Sequence, residues 1–163
     1  MNYGKLNKTD IANGSGVRVS LYVSGCRNRC KGCFNPETWN FKHGEEFTEA
    51  TVREIYDALA PDHIAGLTVL GGDPLESENI GVVNALLYSV KQWFTNKTTW
   101  LYTGYRYEDF KDAEIMEYID ILVDGPFIEE LKDISLNYRG SSNQRIIDVQ
   151  ASRRAGEVVE VEL

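Results

Sequence analysis

The chain has 163 residues, 42% of them hydrophobic, which is enough for one core of ordinary size and short for two, so residues 1–163 are read as a single domain. Seventeen basic residues against twenty-five acidic give a formal charge of −8, which argues against a polyanion, and so against nucleic acid, as the main partner. Met1–Asp10 is polar with no apolar leader core, and the longest apolar runs fall far short of a membrane span, so the expectation is a cytoplasmic protein with no membrane partner.

Taken in chain order, Val17–Ser24 is β-branched and aromatic and predicts a first strand. It runs into Gly25 and a loop that carries all three cysteines, Cys26-Arg27-Asn28-Arg29-Cys30-Lys31-Gly32-Cys33. No cysteine is left for a structural disulfide, which fits a reducing compartment. Thr48 is placed to cap a helix in which Val52, Ile55, Tyr56 and Leu59 follow the i, i+3, i+4, i+7 rule until Pro61 stops it. Leu67–Leu70 predicts a buried strand ending in Gly71-Gly72-Asp73-Pro74, followed by a helix with Val83, Leu86, Leu87, Val90 and Phe94 on one face. Thr98–Thr103 predicts a third strand ending at Gly104, Asp109–Tyr118 a third helix, and Ile119–Val123 a fourth strand ending at Asp124-Gly125-Pro126. Val158–Leu163 alternates apolar and acidic residues and reads either as an edge strand or as a frayed tail.

The βα alternation predicts an α/β fold with a parallel sheet. The cysteine loop, Gly71–Pro74, Thr103-Gly104-Tyr105 and Asp124–Pro126 each follow the carboxyl end of a strand, the edge on which α/β folds build their sites. A full eight-unit barrel takes about 250 residues, so the expected architecture is a partial, open TIM-like barrel of parallel βα units, its open side able to admit a macromolecule's loop.

The C-x3-C-x2-C spacing carries the chemistry. Ordinary cubane carriers use four thiolates, and three leave one iron free to bind a substrate. A structural zinc site needs a closed shell of four ligands, and neither His43 nor His63 stands at a customary distance from the cysteines. Arg18, Arg27, Arg29 and Lys31 lie in or near the loop and read either as a docking patch for an acidic electron donor or as solvated loop charge. Trp39, Trp93 and Trp100 read as core more readily than as a substrate channel, and His43 and His63 as surface or helix-end residues. Gly140-Ser141-Ser142-Asn143 has the composition of an ordinary turn.

The cysteine loop with Gly71-Gly72-Asp73-Pro74 resembles the radical S-adenosylmethionine (SAM) superfamily. Asp10–Trp39, with Gly16-Val17-Arg18, Ser24-Gly25-Cys26 and Cys33-Phe34-Asn35-Pro36-Glu37-Thr38-Trp39, resembles the opening of its glycyl radical enzyme activases, most closely the branch that serves the anaerobic ribonucleoside-triphosphate reductase. Tyr102–Tyr105, Val123–Phe127 and Arg139–Asp148 extend the resemblance over most of the chain. It implies one 4Fe-4S cluster ligated by Cys26, Cys30 and Cys33, with SAM on the fourth iron. It also implies an electron from reduced flavodoxin or a similar donor, and a 5′-deoxyadenosyl radical that takes hydrogen from a glycine of the reductase.

For the site, the resemblance implies that Gly71 and Gly72 let backbone approach SAM and that Asp73, where many relatives have glutamate, pairs with its amino group. Gly32 stands where an aromatic residue often meets the adenine, with Phe34 just beyond Cys33 as the other candidate. Thr103 and Asp124 resemble positions that help hold SAM or a nearby cation, and Gly140–Asn143, between Arg139 and Arg145, is a candidate for binding the reductase's glycine loop or SAM. Activation of a pyruvate formate-lyase type enzyme and radical SAM chemistry on a small molecule remain alternatives; the short chain and the Arg139–Asp148 block favour the reductase. A small iron-sulfur electron carrier is the alternative from another class, and it would neither cleave SAM nor need glycine-rich loops at successive strand ends.

Overall fold

In a computed structural model describing residues 1–163, seven strands form one sheet. They are β1 (Asn2–Asp10), β2 (Val17–Val23), β3 (Glu45–Glu46), β4 (Ile64–Gly71), β5 (Thr98–Tyr102), β6 (Ile121–Asp124) and β7 (Arg145–Asp148). Their order is β3-β1-β2-β4-β5-β6-β7, and the sheet does not close, since β3 and β7 stand at opposite ends. The pairs β2–β4, β4–β5 and β5–β6 are parallel. The crossovers between them carry α1 (Glu49–Leu59), α2 (Ile80–Trp93), and α3 (Tyr107–Phe110) followed by a 3-10 turn at Glu114–Tyr118. A last helix, α4 (Val149–Ala155), follows β7.

The expectation of parallel units holds for the central strands and fails at both sides, where β1 and β7 run antiparallel to β2 and β6. β1 escaped the sequence reading because Asn-Tyr-Gly-Lys-Leu-Asn-Lys-Thr-Asp has no apolar alternation; it joins the sheet through its backbone beside β2. The helix expected at Asp109–Tyr118 is two pieces, and it starts at Tyr107 because the Asp124 carboxylate accepts the Tyr107 N–H at 2.8 Å. The tail pairs at the edge: Asp148 N–H donates to Val159 O and Val161 N–H to Ile146 O, both at 2.9 Å.

Strand alternation gives the sheet two unlike faces. Val19, Leu21, Val23, Leu67, Val69, Leu101, Leu122 and Ile147 point to the helices and join Ile55, Leu59, Val83, Leu86, Leu87 and Val90 in the main core. Each such side chain, fully buried, contributes about 1.5–3 kcal/mol. The opposite face carries Arg18, Ser20, Tyr22, Thr68, Thr98 and Tyr102, with Trp100, Val123 and Ile146 as a small apolar cluster. Trp100 is core as expected, whereas Trp93, the last residue of α2, is 75% exposed, because the adjacent Phe94 takes the inward contact on Tyr56.

Arg18 lies on that polar face and is fully buried, so it belongs to no surface patch. Its Nε donates to Thr68 Oγ1 at 2.8 Å, and its terminal nitrogens donate to Thr98 Oγ1, Thr98 O and Leu67 O at 2.9–3.0 Å and to Ser15 O at 3.2 Å. The guanidinium lies 5.5 Å from the Trp100 ring centre. Burial pushes its pKa down to about 10, and its hydrogen-bond partners are all neutral oxygens. Arg18→Met is expected to cost about 2 kcal/mol, the loss of charge relieving part of what the orphaned oxygens cost. Urea unfolding measures this, and a stabilised variant would show that the charge is a net burden.

Candidate functional site

β2 delivers Ser24-Gly25 into the cysteine loop, and the loop root is pinned by backbone. Gly25 N–H donates to Thr38 O at 2.6 Å, Cys26 N–H to Trp39 O at 3.2 Å, Gly72 N–H to Val23 O at 2.7 Å and Asp73 N–H to Gly25 O at 2.8 Å. A Cβ on Gly72 would stand 2.6 Å from Gly25 O and 2.9 Å from Thr38 O. At Gly71, where φ is +108°, it would stand 2.7 Å from the Val23 backbone. The two glycines are thus required by the joint between β2, β4 and the loop, a reason additional to the approach of a ligand.

Cys26, Cys30, Cys33, Phe34, Gly71, Gly72, Asp73 and Thr103 line one cavity of about 480 Å³. Its other wall is the segment returning from β6, with Phe127, Ile134, Tyr138, Arg139, Gly140 and Gln144. Two residues expected at the site lie outside the lining. Gly32, at φ +76°, turns the loop against the Glu129 side chain, 2.9 Å from where a Cβ would be. Asp124 is fully buried: it accepts the Tyr107 N–H and two bonds from Arg145 at 2.9 and 2.5 Å, so its carboxylate serves the start of α3 and β7. Phe34 sits at the mouth, 61% exposed, its ring 5.1 Å from Phe127 and 5.3 Å from Lys132 Nζ.

The three thiols are free and half-buried, and burial pushes the Cys26 thiol's pKa upward. Cys33 Sγ accepts the Asn35 N–H at 3.4 Å. A closed tetrahedral zinc shell takes four ligands, and the cavity lining offers three thiols and no histidine. An iron-sulfur cluster distributes its thiolates one to an iron, and three soft sulfur donors from one loop lining one cavity, with neither histidine among the lining residues, fit that group. Trp39 Nε1, Tyr102 Oη and Arg139 Nε are buried without a partner, and all three residues line the same cavity. Such orphans are rare in native interiors, and their concentration here fits a cavity that receives a polar ligand.

Of the two readings of the loop charges, solvated and paired loop charge fits better than a docking patch. Arg27 is held by Glu76 at 2.8 Å and Glu78 at 2.5 Å, and Lys31 lies 3.4 Å from Glu129 and 3.9 Å from Glu130. With Arg18 in the interior, Arg29 remains, its guanidinium 5.9 Å from the Trp39 ring centre.

Asp73 is the hub of the site, 1% exposed. Its carboxylate accepts from Thr103 Oγ1 at 2.8 and 3.0 Å, Gly104 N–H at 2.8 Å, Leu75 N–H at 3.0 Å and Asn28 Nδ2 at 3.1 Å. One side chain thereby ties the ends of β4 and β5 to the cysteine loop. Burial pushes its pKa up to about 6, outweighing the hydrogen bonds that pull it down. The folded state therefore holds a proton that the unfolded chain releases near pH 4, and this contribution to stability is present below about pH 4 and lost as pH rises through about 6. Relative to Asp73→Asn, the apoprotein is expected to lose about 3 kcal/mol of unfolding free energy between pH 4 and pH 7. Denaturant titrations across that range measure it, and a flat difference would mean that Asp73 ionises as an exposed carboxyl does.

Tyr102, which the sequence marks only as a strand residue opening the Tyr102–Tyr105 block, lines the cavity beside Thr103. Asn13 and Tyr22 also line the cavity, joined by an Asn13 Nδ2 bond to the Tyr22 hydroxyl at 3.0 Å and anchored by Asp10 at 2.7 Å.

Comparison with known proteins adds two findings. The family model of a 4Fe-4S single cluster domain matches residues 12–147. The anaerobic ribonucleoside-triphosphate reductase-activating protein of Enterobacteria phage T4 is 43% identical over 146 residues, spanning 90% of this chain and 93% of that protein. The proteins of the same name from Vibrio cholerae serotype O1 and Escherichia coli K12 are 41% and 39% identical over 150 and 148 residues, covering 90% and 88% of this chain and 97% and 96% of theirs.

Proposed function

Because the chain belongs to the family of anaerobic ribonucleoside-triphosphate reductase-activating proteins, which carry a 4Fe-4S single cluster domain, we propose that it places a glycyl radical on that reductase by reductive cleavage of SAM. The observation that carries this reading is one cavity walled by three thiols, with no fourth thiol and no histidine, and by two further strand ends. The open sheet with parallel central strands supports a partial barrel of the radical SAM type. A 4Fe-4S cluster bound there would supply the one electron needed to split the sulfonium of SAM into methionine and a 5′-deoxyadenosyl radical, the species that would take hydrogen from a glycine α-carbon and leave as 5′-deoxyadenosine.

The chain's own residues bind and exclude. Cys26, Cys30 and Cys33 hold the cluster, and Gly71 and Gly72 present a strand end with no side chain between backbone and ligand. Asp73 acts through Thr103, Gly104 and Asn28, fixing the loop that bears the thiols. Trp39 lines the cavity, its indole N–H buried without a partner. Reduced flavodoxin or a similar one-electron donor in the cytoplasm is the proposed electron source.

The test is anaerobic: the protein is reconstituted with iron and sulfide, reduced with SAM and the reductase, and its electron paramagnetic resonance recorded. A glycyl doublet on the reductase, with 5′-deoxyadenosine formed alongside, is the expected result. Cleavage without the doublet would move the chemistry to another substrate. No cleavage from an intact reduced cluster would overturn the reading in favour of an electron carrier.

A further inference from the structure

Two carboxylates from the turn after β4 reach the cysteine loop, and they hold it differently. Asp73 takes a side chain, the Asn28 amide at 3.1 Å. Glu76, 3% exposed and outside the cavity lining, takes main chain: its Oε1 accepts the Arg27 N–H at 2.7 Å, directly after Cys26. The same Oε1 accepts the Tyr105 hydroxyl at 3.1 Å, and Oε2 accepts the Arg27 guanidinium at 2.8 Å. The platform under Glu76 is itself fixed. Its carbonyl accepts the Asn79 and Ile80 N–H groups at 2.8 and 2.9 Å, and Asn79 Nδ2 donates to Ser24 O and Asp73 O, both at 3.0 Å. The Arg27 side chain closes Glu76 off from outside, paired with Glu78 at 2.8 and 2.5 Å and lying 4.6 Å from the Phe41 ring centre. Two residues further on, Arg29 has φ +45°, a left-handed backbone that a non-glycine residue keeps only where its surroundings over-determine it.

We propose that Glu76 is a positioning residue for the iron-sulfur cluster, a role that rests on the ligand set proposed above: by holding the main chain next to Cys26 it sets the first thiol in its ligating position before iron binds. The Cys26 N–H is on Trp39 O and the Arg27 N–H is on Glu76, so both peptide groups flanking the Cys26 α-carbon are fixed, and χ1 is the one torsion left to aim its Sγ. Cys30 and Cys33 are joined by the Cys33 N–H bond to Cys30 O at 3.1 Å, which makes the second and third thiols one turn, and Glu76 fixes the first against them. What the main-chain N–H needs is an acceptor oxygen, which a carboxamide supplies as well as a carboxylate does. Groups that orient a metal's ligands from outside change its affinity by about 10–100-fold.

The test compares the whole protein, wild type, with Glu76→Gln, Glu76→Ala and the double variant Glu76→Gln with Arg27→Met. Glu76→Gln keeps an oxygen for the Arg27 N–H, and the double variant removes the ion pair as well while leaving that main-chain bond in place. After anaerobic reconstitution with iron and sulfide, loss of the cluster absorbance to a chelator should run about tenfold faster in Glu76→Ala and stay within about twofold of wild type in the other two. Hydrogen exchange of the apoprotein should show the Arg27 amide protected in wild type and Glu76→Gln and open in Glu76→Ala, with the amides of β4 and β5 unchanged in all three. An Arg27 amide that exchanges freely in wild-type apoprotein would overturn the proposal. Equal cluster loss in Glu76→Gln and Glu76→Ala would also overturn it, assigning the effect to charge, and so would wild-type retention in Glu76→Ala. Faster exchange of the β4 and β5 amides in Glu76→Ala would make Glu76 a support of the fold instead. Failure of the ligand assignment has a different signature, since Cys26→Ala would then keep its cluster.

Discussion

Replacing Cys26, Cys30 or Cys33 by Ala is expected to abolish the iron-sulfur absorbance and, with it, all SAM cleavage and all glycyl radical. Each of three irons would have one protein ligand, and the structure offers no substitute: the chain has no other cysteine, and neither histidine lines the cavity. The thiols are half-buried on a loop, so the apoprotein's unfolding free energy should move by about 0.5 kcal/mol or less. That pairing of total functional loss with an unaltered fold separates ligand removal from misfolding. Iron analysis, visible absorbance and chromatography of 5′-deoxyadenosine measure it; a full cluster or retained cleavage in any of the three variants would refute the ligand assignment.

Asp73→Ala is expected to lower the apoprotein's stability by about 4 kcal/mol and to impair cluster retention as well as SAM affinity. The truncation leaves the Gly104 and Leu75 N–H groups buried without an acceptor and releases Thr103 and Asn28, at about 1–3 kcal/mol for each unsatisfied group, offset by removal of a carboxylate that burial disfavours. Read from sequence alone, the same substitution would weaken SAM binding and spare the cluster. The two expectations part on stability. Denaturant unfolding of the apoprotein, with iron retention on gel filtration, decides between them: a loss under about 1 kcal/mol with an intact cluster and weakened SAM affinity would make Asp73 a direct contact of the ligand.

The spacing of Cys26, Cys30 and Cys33, the strands that deliver them and Gly71–Asp73 to one rim, and the crossover helices were legible in the sequence, because they depend on residue type and short-range period. Thr48 is the first-turn cap of α1, its N–H donating to Thr51 Oγ1 at 3.1 Å, and Ile55 and Leu59 are buried as their spacing required. β1 was not legible, since a polar strand is held by the backbone groups of its neighbour and leaves no side-chain period, and β7, four residues with Ile146 and Ile147 buried on opposite faces, is too short to show one. Nor were the fates of the charges. Asp73 and Asp124 both stand at strand ends, after β4 and at the end of β6, yet one lines the cavity and the other turns to Arg145, while Arg18, grouped by sequence with the loop cations, lies sealed beneath Trp100. Those outcomes belong to tertiary structure: a buried polar group settles where its partners are, and for Arg18, Asp73 and Asp124 the partners come from strands and loops distant in the chain.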